Sequence, residues 1–163
     1  MKMKSKSMKR YLLPTLVLAG GIGLGIGLMT TAPSVGAQTV VVYKSPTCGC
    51  CKAWARHLRE NGFRVEVHDR YDVTPVKNEL GVPPRLRSCH TAKVGGYLVE
   101  GHVPAADIRR LLRDKPAVAG LAVPGMPQGA PGMEGPRKER YEVIAFGGDG
   151  APRVYARYPG IEP

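Results

Sequence analysis

The pattern of apolar and polar residues after position 38 predicts a strand, a helix and a second strand in succession. Residues 39–43 are almost continuously apolar, which is typical of a strand that is buried on both faces. Residues 52–61 show helical periodicity, and residues 63–68 alternate strictly, as in a half-exposed strand. The helix between them makes the two strands parallel through a right-handed crossover. One face of this helix is apolar and carries Cys51, Trp54 and Leu58.

The elements that follow complete an α/β domain. Residues 74–80 predict a short helix, and residues 91–94 and 97–100 flank Gly95-Gly96, a strong signal for a two-residue hairpin. Residues 104–114 place apolar side chains among charges and predict the last helix. The order β-α-β-α-β-β-α is that of a thioredoxin-like domain, with the first cysteines on the turn where that fold carries its redox motif. We therefore predict a thioredoxin-like α/β fold.

Two segments follow this cysteine domain, which we place at residues 38–114. Residues 115–140 form a Gly/Pro/Met-rich loop, in which the spacing of the prolines predicts no regular element. Residues 141–163 predict a C-terminal hairpin, with strands at 141–146 and 153–158. We expect this hairpin to pack on the same domain, where it either extends the sheet or covers its edge.

Residues 1–37 have the organisation of a signal peptide. Five cations precede a long uncharged apolar run, and Val35-Gly36-Ala37 supplies small residues at the usual cleavage position. We expect the mature chain to begin at Gln38. The alternative is an uncleaved anchor, because the apolar run approaches the length of a membrane span, although its glycines and Pro14 weaken such a helix. Both alternatives place the cysteine domain outside the cytoplasm.

The net charge of the chain does not point to a further kind of partner. Five of the 24 Lys and Arg residues lie within residues 1–37 and none of the 13 acids does, so the net charge falls from +11 to +6 without that segment. The remaining cations are spread along the chain and lack the clustered stripe with interleaved aromatics that is typical of a nucleic-acid-binding surface. We expect no nucleic-acid partner, and no stable membrane insertion after cleavage.

Three of the four cysteines lie within four positions, at the predicted strand-to-helix turn. Free backbone N–H groups and the helix dipole stabilise thiolates at a helix N-terminus, so Cys48, Cys50 and Cys51 are candidate metal ligands. Thiolates prefer Cu(I), Zn(II) or the iron of iron–sulfur clusters, and the close spacing favours copper over the other two. If the central hairpin is the antiparallel half of the sheet, its ends bring three further candidates to the same place: Cys89, His90 and His102.

Disulfides are the alternative use of these cysteines. Four cysteines in an exported protein form two disulfides by default, with three possible connectivities. Cys48 and Cys51 have the C-x-x-C spacing of a redox disulfide, which leaves Cys50 to pair with Cys89. Adjacent Cys50 and Cys51 cannot join without a strained ring. The sequence favours a thiolate site, but it leaves the redox disulfide open.

Two methionines and one histidine are secondary candidates for metal ligands. Met126 and Met133 each follow a glycine in a loop that is poor in other apolar side chains, so they have little core to fill. Two interpretations are open for them, as thioether ligands or as a hydrophobic lid. His102 follows Gly101 at a strand end, where a ligand or an outer role in the site is open.

The other histidines and the tryptophan have ordinary interpretations. His90 follows Cys89 directly, and in an extended segment the two side chains would lie on opposite faces, so we expect a neighbour rather than a co-ligand. His57 and His68 are expected on the surface. Trp54 is expected in the core, where it would shield the thiolates from water.

Several motifs occur in order along the chain: Cys48-Gly49-Cys50-Cys51 with Trp54, then residues 86–92, 94–97 and 100–104, and finally residues 121–127 with 131–134. Together they closely resemble the periplasmic copper-resistance family called CopG, which is distinct from the DNA-binding repressor of the same name. The resemblance covers about residues 39–146. It implies a thioredoxin-like fold, a location in the bacterial periplasm, copper binding through the cysteines and a role in copper tolerance.

The sequence therefore predicts a periplasmic protein of copper homeostasis that binds Cu(I) through Cys48, Cys50, Cys51 and Cys89, with room for several Cu(I) ions per protein. Its expected partners are copper ions and other periplasmic copper-handling proteins. The alternatives are a thiol–disulfide oxidoreductase that uses Cys48 and Cys51, and a copper redox protein. Thioredoxin-like oxidoreductases place a cis-proline opposite the C-x-x-C motif, whereas Ser88-Cys89 occupies the corresponding approach here, which favours metal binding.

Overall fold

The computed structural model describes residues 38–148 and 150–161. The predicted signal peptide at residues 1–37 lies outside the described residues, so its cleavage stays a prediction. Within the described part of the chain, no helix combines the length and apolar character that crossing a membrane requires. The helices and strands are β1 (Thr39–Lys44), α1 (Gly49–Glu60), β2 (Arg64–Asp69), α2 (Thr74–Glu79), β3 (Thr91–Val94), β4 (Tyr97–Glu100), α3 (Ala105–Asp114), β5 (Gly120–Ala122), β6 (Tyr141–Phe146) and β7 (Arg153–Tyr158), with a 3₁₀ turn at Pro84–Leu86.

The strands form one seven-stranded sheet in the order β2-β1-β3-β4-β5-β6-β7. Strands β1 and β2 are parallel, β3 is antiparallel to β1, and β4 is antiparallel to β3. The predicted α/β class and the order β-α-β-α-β-β-α from β1 to α3 are confirmed. Tyr43 near the end of β1 pairs with Thr91 at the start of β3, and Thr91 pairs with Glu100 at the end of β4. This register gathers the turn after β1, the start of β3 and the end of β4 at one end of the sheet.

The core lies between the sheet and the helices α1 and α3. Val40 and Val42 of β1 belong to the same buried cluster as Trp54 of α1 and Ile108 of α3. The prediction that β1 is buried on both faces is wrong, since its residues alternate between buried and half-buried. Both helices pack on the face of Val40 and Val42, so the opposite face of β1 is only partly covered.

Strand β5 lies in the segment that was predicted to hold no regular element. Gly120–Ala122 runs parallel to β4 and antiparallel to β6, and the three residues are buried. Gly120 has a packing reason, because a Cβ there would clash with the backbone of Leu98. Prolines are frequent only after Val123, so the prediction extended the proline-rich character too far towards the N-terminus.

The C-terminal hairpin extends the sheet. Strands β6 and β7 lie at the predicted bounds and pair with a bulge between Val143 and Ile144. The hydroxyl of Tyr158 donates a hydrogen bond of 2.6 Å to the carboxyl group of Asp107 on α3. Arg110 of α3 lies over the ring of Tyr155 at 3.8 Å. These contacts fasten the hairpin to the last helix of the preceding domain.

Candidate metal centre

The turn after β1 places three cysteines at the N-terminus of α1. Cys48 is the N-cap residue, and its Sγ accepts a hydrogen bond of 3.3 Å from the backbone N–H of Cys51. Cys48 and Cys51 are joined by a disulfide, and Cys50 has a free thiol. The Sγ atoms of Cys48 and Cys50 are 3.4 Å apart. The turn therefore supplies three sulfurs, two of which are oxidised in this structure.

The fourth sulfur comes from the residue pair that precedes β3. Cys89 has a free thiol, and its Sγ lies 3.5 Å from the Sγ of Cys51, which is 38 positions earlier in the chain. All four cysteine sulfurs lie within 4.8 Å of one another. The structure thus brings together the four residues that the sequence predicted, and the predicted convergence of Cys89 on the turn is correct.

Two histidines extend the group on the side of Cys89. The Nε2 atom of His102 lies 3.2 Å from the Sγ of Cys89, and the Nδ1 atom of His90 lies 3.3 Å from the same sulfur. The prediction that His90 and Cys89 point to opposite faces is wrong. It assumed extended backbone, whereas the Cys89-His90 pair lies in an irregular bend before β3 begins at Thr91. Cys89, His90 and His102 form a second set of potential metal ligands within 4.8 Å, and this set shares Cys89 with the first.

A hydrogen bond assigns the proton of His102. The carbonyl oxygen of Pro131 can only accept, so His102 carries its proton on Nδ1, which lies 2.8 Å from that oxygen. The lone pair of Nε2 then faces Cys89, as is common when a second hydrogen bond orients a metal-binding histidine. The Nε2 atom of His90 is buried and has no hydrogen-bond partner among the described residues. The His90 nitrogen that faces the Cys89 sulfur is Nδ1, and the grouping of Cys89, His90 and His102 is consistent with a site for a metal ion.

Burial controls the protonation of this side of the site. Burial, and after it the neighbouring Cys50, raise the pKa of the Cys89 thiol to about 11. Burial also lowers the pKa of His90 well below its usual value and lowers that of His102. The expected stabilisation of thiolates by the helix N-terminus therefore does not extend to Cys89, which is not part of that helix. Metal binding at Cys89 has to release a tightly held proton.

The proline-rich loop passes over the site. The Ser88 hydroxyl donates to the carbonyl of Gly125, and a Cβ on Gly132 would lie 2.6 Å from the backbone nitrogen of Trp54 and 2.7 Å from the carbonyl oxygen of Cys50. We call residues 125–133 the strap. Met133 is half-buried within it, whereas Met126 is 54% exposed. Their roles as thioether ligands stay predictions.

Two of the remaining side-chain expectations are correct and one is wrong. Trp54 is fully buried, its indole N–H donates to the carbonyl of Val103 at 2.9 Å, and its ring lies 4.3 Å from that of His90. His68 is partly exposed beside Glu66. His57 is not a free surface histidine, since its Nε2 accepts a hydrogen bond of 3.2 Å from the backbone N–H of Ala105. It links α1 to the start of α3, a contact between distant segments that helical periodicity alone does not reveal.

Sequence reasoning missed a buried ion pair beside the site. The Nζ atom of Lys77 lies 2.5 Å from the Oε1 atom of Glu100, and their side chains are 4% and 0% exposed. The backbone N–H of Ser88 donates to the same carboxyl oxygen at 2.6 Å. Burial raises the pKa of Glu100, while the Lys77 charge and its hydrogen bond oppose that shift. The available signal was a lone acid at the end of a short apolar strand, which the sequence analysis treated as part of the hairpin.

Comparison with known proteins agrees with this geometry. Residues 86–133 match a family described as a protein of unknown function, DUF411. The solved structure of copper resistance protein CopG in its form 2 matches with 48% sequence identity and a TM-score of 0.71, covering 75% of this chain and 98% of that one. Its form 1 matches with 49% identity and a TM-score of 0.70, at the same coverage. No curated protein matches the chain at a significant level. The identity and the coverage establish that this chain belongs to the CopG family of copper resistance proteins.

Proposed function

We propose that this chain is a periplasmic copper-binding protein of copper homeostasis and resistance, which holds Cu(I) through Cys48, Cys50, Cys51 and Cys89. The observation that carries the proposal is the convergence of four cysteine sulfurs within 4.8 Å. Soft thiolates select Cu(I) among the available metals, and two or three sulfurs satisfy one such ion. Because a thiolate can bridge two ions, the group has capacity for more than one Cu(I).

Copper loading requires reduction of the Cys48–Cys51 disulfide. The Cys48–Cys51 disulfide occupies two of the four sulfurs, and two electrons and two protons convert it to two thiols. The thiols then lose their protons on binding metal. His102, Met126 and Met133 are secondary ligands in this proposal. His102 is supported by its Nε2 lone pair, which faces Cys89, and Met133 is supported by its place in the strap directly after Gly132.

The experiment is anaerobic reduction of the protein, loading with Cu(I), desalting, and measurement of copper per protein. We expect reduced wild type to retain more than one Cu(I), and protein with the Cys48–Cys51 disulfide intact to retain less. A thiol titration before loading provides the control, because it should count four thiols after reduction and two before it. Reduced protein that retains no copper would overturn the proposal.

The periplasmic location rests on residues 1–37. Their basic, apolar and small-residue order supports export with cleavage before Gln38. In this proposal residues 38–114 carry the cysteines, residues 115–140 cross the site and residues 141–163 extend the sheet. Intact-mass measurement of protein recovered from the periplasm of its native host tests the boundary. A membrane-bound chain of full length would refute cleavage.

One observation favours a second candidate function, a thiol–disulfide oxidoreductase. Cys48 and Cys51 form a disulfide with C-x-x-C spacing at the N-terminus of α1, where a helix dipole supports an attacking thiolate. The two candidates differ in their dependence on Cys89. Disulfide exchange requires only Cys48 and Cys51, whereas the four-sulfur copper site also requires Cys89. A Cys89→Ser variant that keeps full copper content and reduces a disulfide substrate would favour the oxidoreductase.

A further inference from the structure

The buried pair of Lys77 and Glu100 lies next to the site without contributing a metal ligand. Lys77 is on α2, Glu100 ends β4, and the Nζ–Oε1 distance is 2.5 Å. Removing two charges from water costs several kcal/mol per ion, and an apolar pair of similar volume is often as stable or more so. A purely structural role for this pair would therefore cost free energy without a clear gain in stability. The further hydrogen-bond partner of Glu100 indicates another role for the pair.

That partner is the segment that carries Cys89. The backbone N–H of Ser88 donates to the Oε1 atom of Glu100 at 2.6 Å, and Ser88 directly precedes Cys89. On the other side, the N–H of Gly101 donates to the carbonyl of His90 at 3.1 Å. Residues 88–90 are thus bonded twice to the end of β4, once through a side chain and once through the backbone.

The same end of β4 carries His102. Gly101 has a φ of +70°, and a Cβ there would lie 2.7 Å from the Cβ of Ser88, so the side chain of Ser88 packs directly on Gly101. Cys89 and His102 extend from these two fastened segments, and their Sγ and Nε2 atoms are 3.2 Å apart. The bond between Ser88 and Glu100 is therefore one of the contacts that hold the segment of Cys89 beside His102.

We propose that Lys77 and Glu100 are positioning residues, which hold the N–H of Ser88 so that the Cys89 sulfur faces both Cys51 and His102. Glu100 is the acceptor, and Lys77 orients its carboxyl group toward Ser88. This inference rests on the proposed copper function for its biological meaning and deepens it, but the geometry that it describes is testable without metal. Outer contacts of this kind change metal affinity by about 10- to 100-fold when they are removed.

The metal-free test measures how readily Cys89 reaches Cys51. In a Cys48→Ser/Cys50→Ser background only those two thiols remain, with their sulfurs 3.5 Å apart. Oxidised glutathione accepts two electrons from the pair and becomes two thiols, while Cys51 and Cys89 lose their protons and form a disulfide. The rate of this cross-link reports the placement of Cys89. Lys77→Met/Glu100→Gln, which removes both charges but keeps an acceptor oxygen for the Ser88 N–H, should cross-link within about twofold of the parent rate, and Lys77→Met/Glu100→Met should be slower by about tenfold or more.

The Lys77→Met/Glu100→Met variant separates positioning from simple stability. It removes both buried charges together, so we expect it to fold, but it leaves the Ser88 N–H without its acceptor. Tyr158→Phe is the matched control, since it removes a hydrogen bond to the buried Asp107 on α3, away from the cysteines. The control should lower the urea midpoint and leave the cross-linking rate unchanged.

The second readout is the ultraviolet absorption of Cu(I)–thiolate charge transfer in the otherwise wild-type chain. We expect Lys77→Met/Glu100→Met to change this band and lower Cu(I) affinity by at least about tenfold, and Lys77→Met/Glu100→Gln to keep both the band and the affinity close to wild type. A Lys77→Met/Glu100→Met variant that cross-links at the parent rate and binds copper like wild type would overturn the inference. If wild type bound no copper, the proposed function would fail, while the cross-linking rates would still decide whether Lys77 and Glu100 position Cys89.

Discussion

The two sides of the candidate metal centre are built in opposite ways. On one side Cys48, Cys50 and Cys51 lie in a single turn at a helix N-terminus, with Cys50 half-exposed and the other two joined as a disulfide. On the other side Cys89 and His102 come from separate strand ends and meet through the register of β3 and β4. We call these the turn side and the strand side.

The environments of the two sides differ as much as their construction. On the turn side, the Sγ of Cys48 accepts a hydrogen bond from the backbone N–H of Cys51, and the positive end of the α1 dipole favours thiolates. On the strand side both histidines are fully buried and burial lowers their pKa values, while the half-buried Cys89 thiol holds its proton tightly because its pKa is raised. The comparison indicates that the turn side supplies reactive sulfur, while the strand side supplies fixed geometry. The predictions that follow are tests of this division.

The largest expected effect is the loss of copper when Cys89 is replaced. Cys89 belongs to both sets of potential ligands, so Cys89→Ser removes the link between the two sides, and bridged ions should be lost together. We expect it to lower copper content by more than one ion per protein after anaerobic loading. Cys50→Ser is the matched variant, because it removes one sulfur of the turn side only and should lose less. Equal losses in the two variants would contradict the division.

The next effect concerns the ion pairs beside each side of the site. Lys77→Met leaves the fully buried Glu100 without its cation, and we expect this to cost about 3 to 5 kcal/mol of unfolding free energy. Lys44→Met is the comparison on the turn side, where the partner Asp69 is 52% exposed; we expect about 1 kcal/mol or less there because water screens the carboxylate. Urea titration of the metal-free protein measures both values. Similar costs would show that the strand side is not the more rigidly supported one.

The strap should detach when Gly132 is replaced. Gly132 has a φ of +83°, and an added Cβ would press on the backbone of Trp54 and Cys50, so we expect Gly132→Ala to cost about 1 to 3 kcal/mol of local stability. Gly125→Ala is the control, since that position has a φ of +70° but open space around it. Limited proteolysis between residues 115 and 140 should become faster in Gly132→Ala than in Gly125→Ala. Unchanged cleavage in Gly132→Ala would mean that the strap does not pack on α1.

A pH effect should distinguish Cys89 from an ordinary thiol. Its pKa is raised, to about 11, so the folded chain holds this proton more tightly than the unfolded chain does. The stabilisation from this shift is fully present below the ordinary pKa of a thiol, and it is lost as the pH rises toward the folded value. With Cys50 replaced by Ser and the Cys48–Cys51 disulfide intact, the alkylation rate of Cys89 should still be rising at about pH 10. A rate that levels off near the pKa of a free thiol would contradict the burial of Cys89.

The smallest effect is expected at Met126. Its side chain is 54% exposed, and Met126→Leu keeps the volume while removing the thioether. We expect the variant to retain the copper capacity of wild type and to differ in the rate at which Cu(I) exchanges with a competing chelator. A loss of capacity would make Met126 a principal ligand rather than a secondary one.

Periodicity and turn signals were sufficient to predict the regular elements on both sides of the site. The alternation of residues 63–68, the Gly95-Gly96 hairpin and the strand-to-helix turn are local patterns, and the structure has all three. Parallel and antiparallel pairing then placed Cys89 beside Cys51 correctly. Local patterns failed where a contact depended on irregular backbone or on distant partners. The bend at Cys89-His90 is one such case, and the buried Glu100 is another.

Strand β5 shows the same limit within the sheet. Gly120–Ala122 is too short for a periodic signal, and it is a strand only because β4 and β6 pair with it on both sides. His57 is similar, since its acceptor role depends on the start of α3. Such features follow from tertiary packing, which overrides local propensity.

The central claim is that thiolates from both sides of the site hold Cu(I) together. X-ray absorption at the copper edge of anaerobically loaded wild type and of Cys89→Ser, each washed free of unbound metal, tests it most directly. We predict the edge of Cu(I) with sulfur as the dominant neighbour in wild type, and fewer sulfur neighbours per protein in the variant. Copper that is bound through nitrogen and oxygen alone, or a sulfur environment that Cys89→Ser leaves unchanged, would contradict the account.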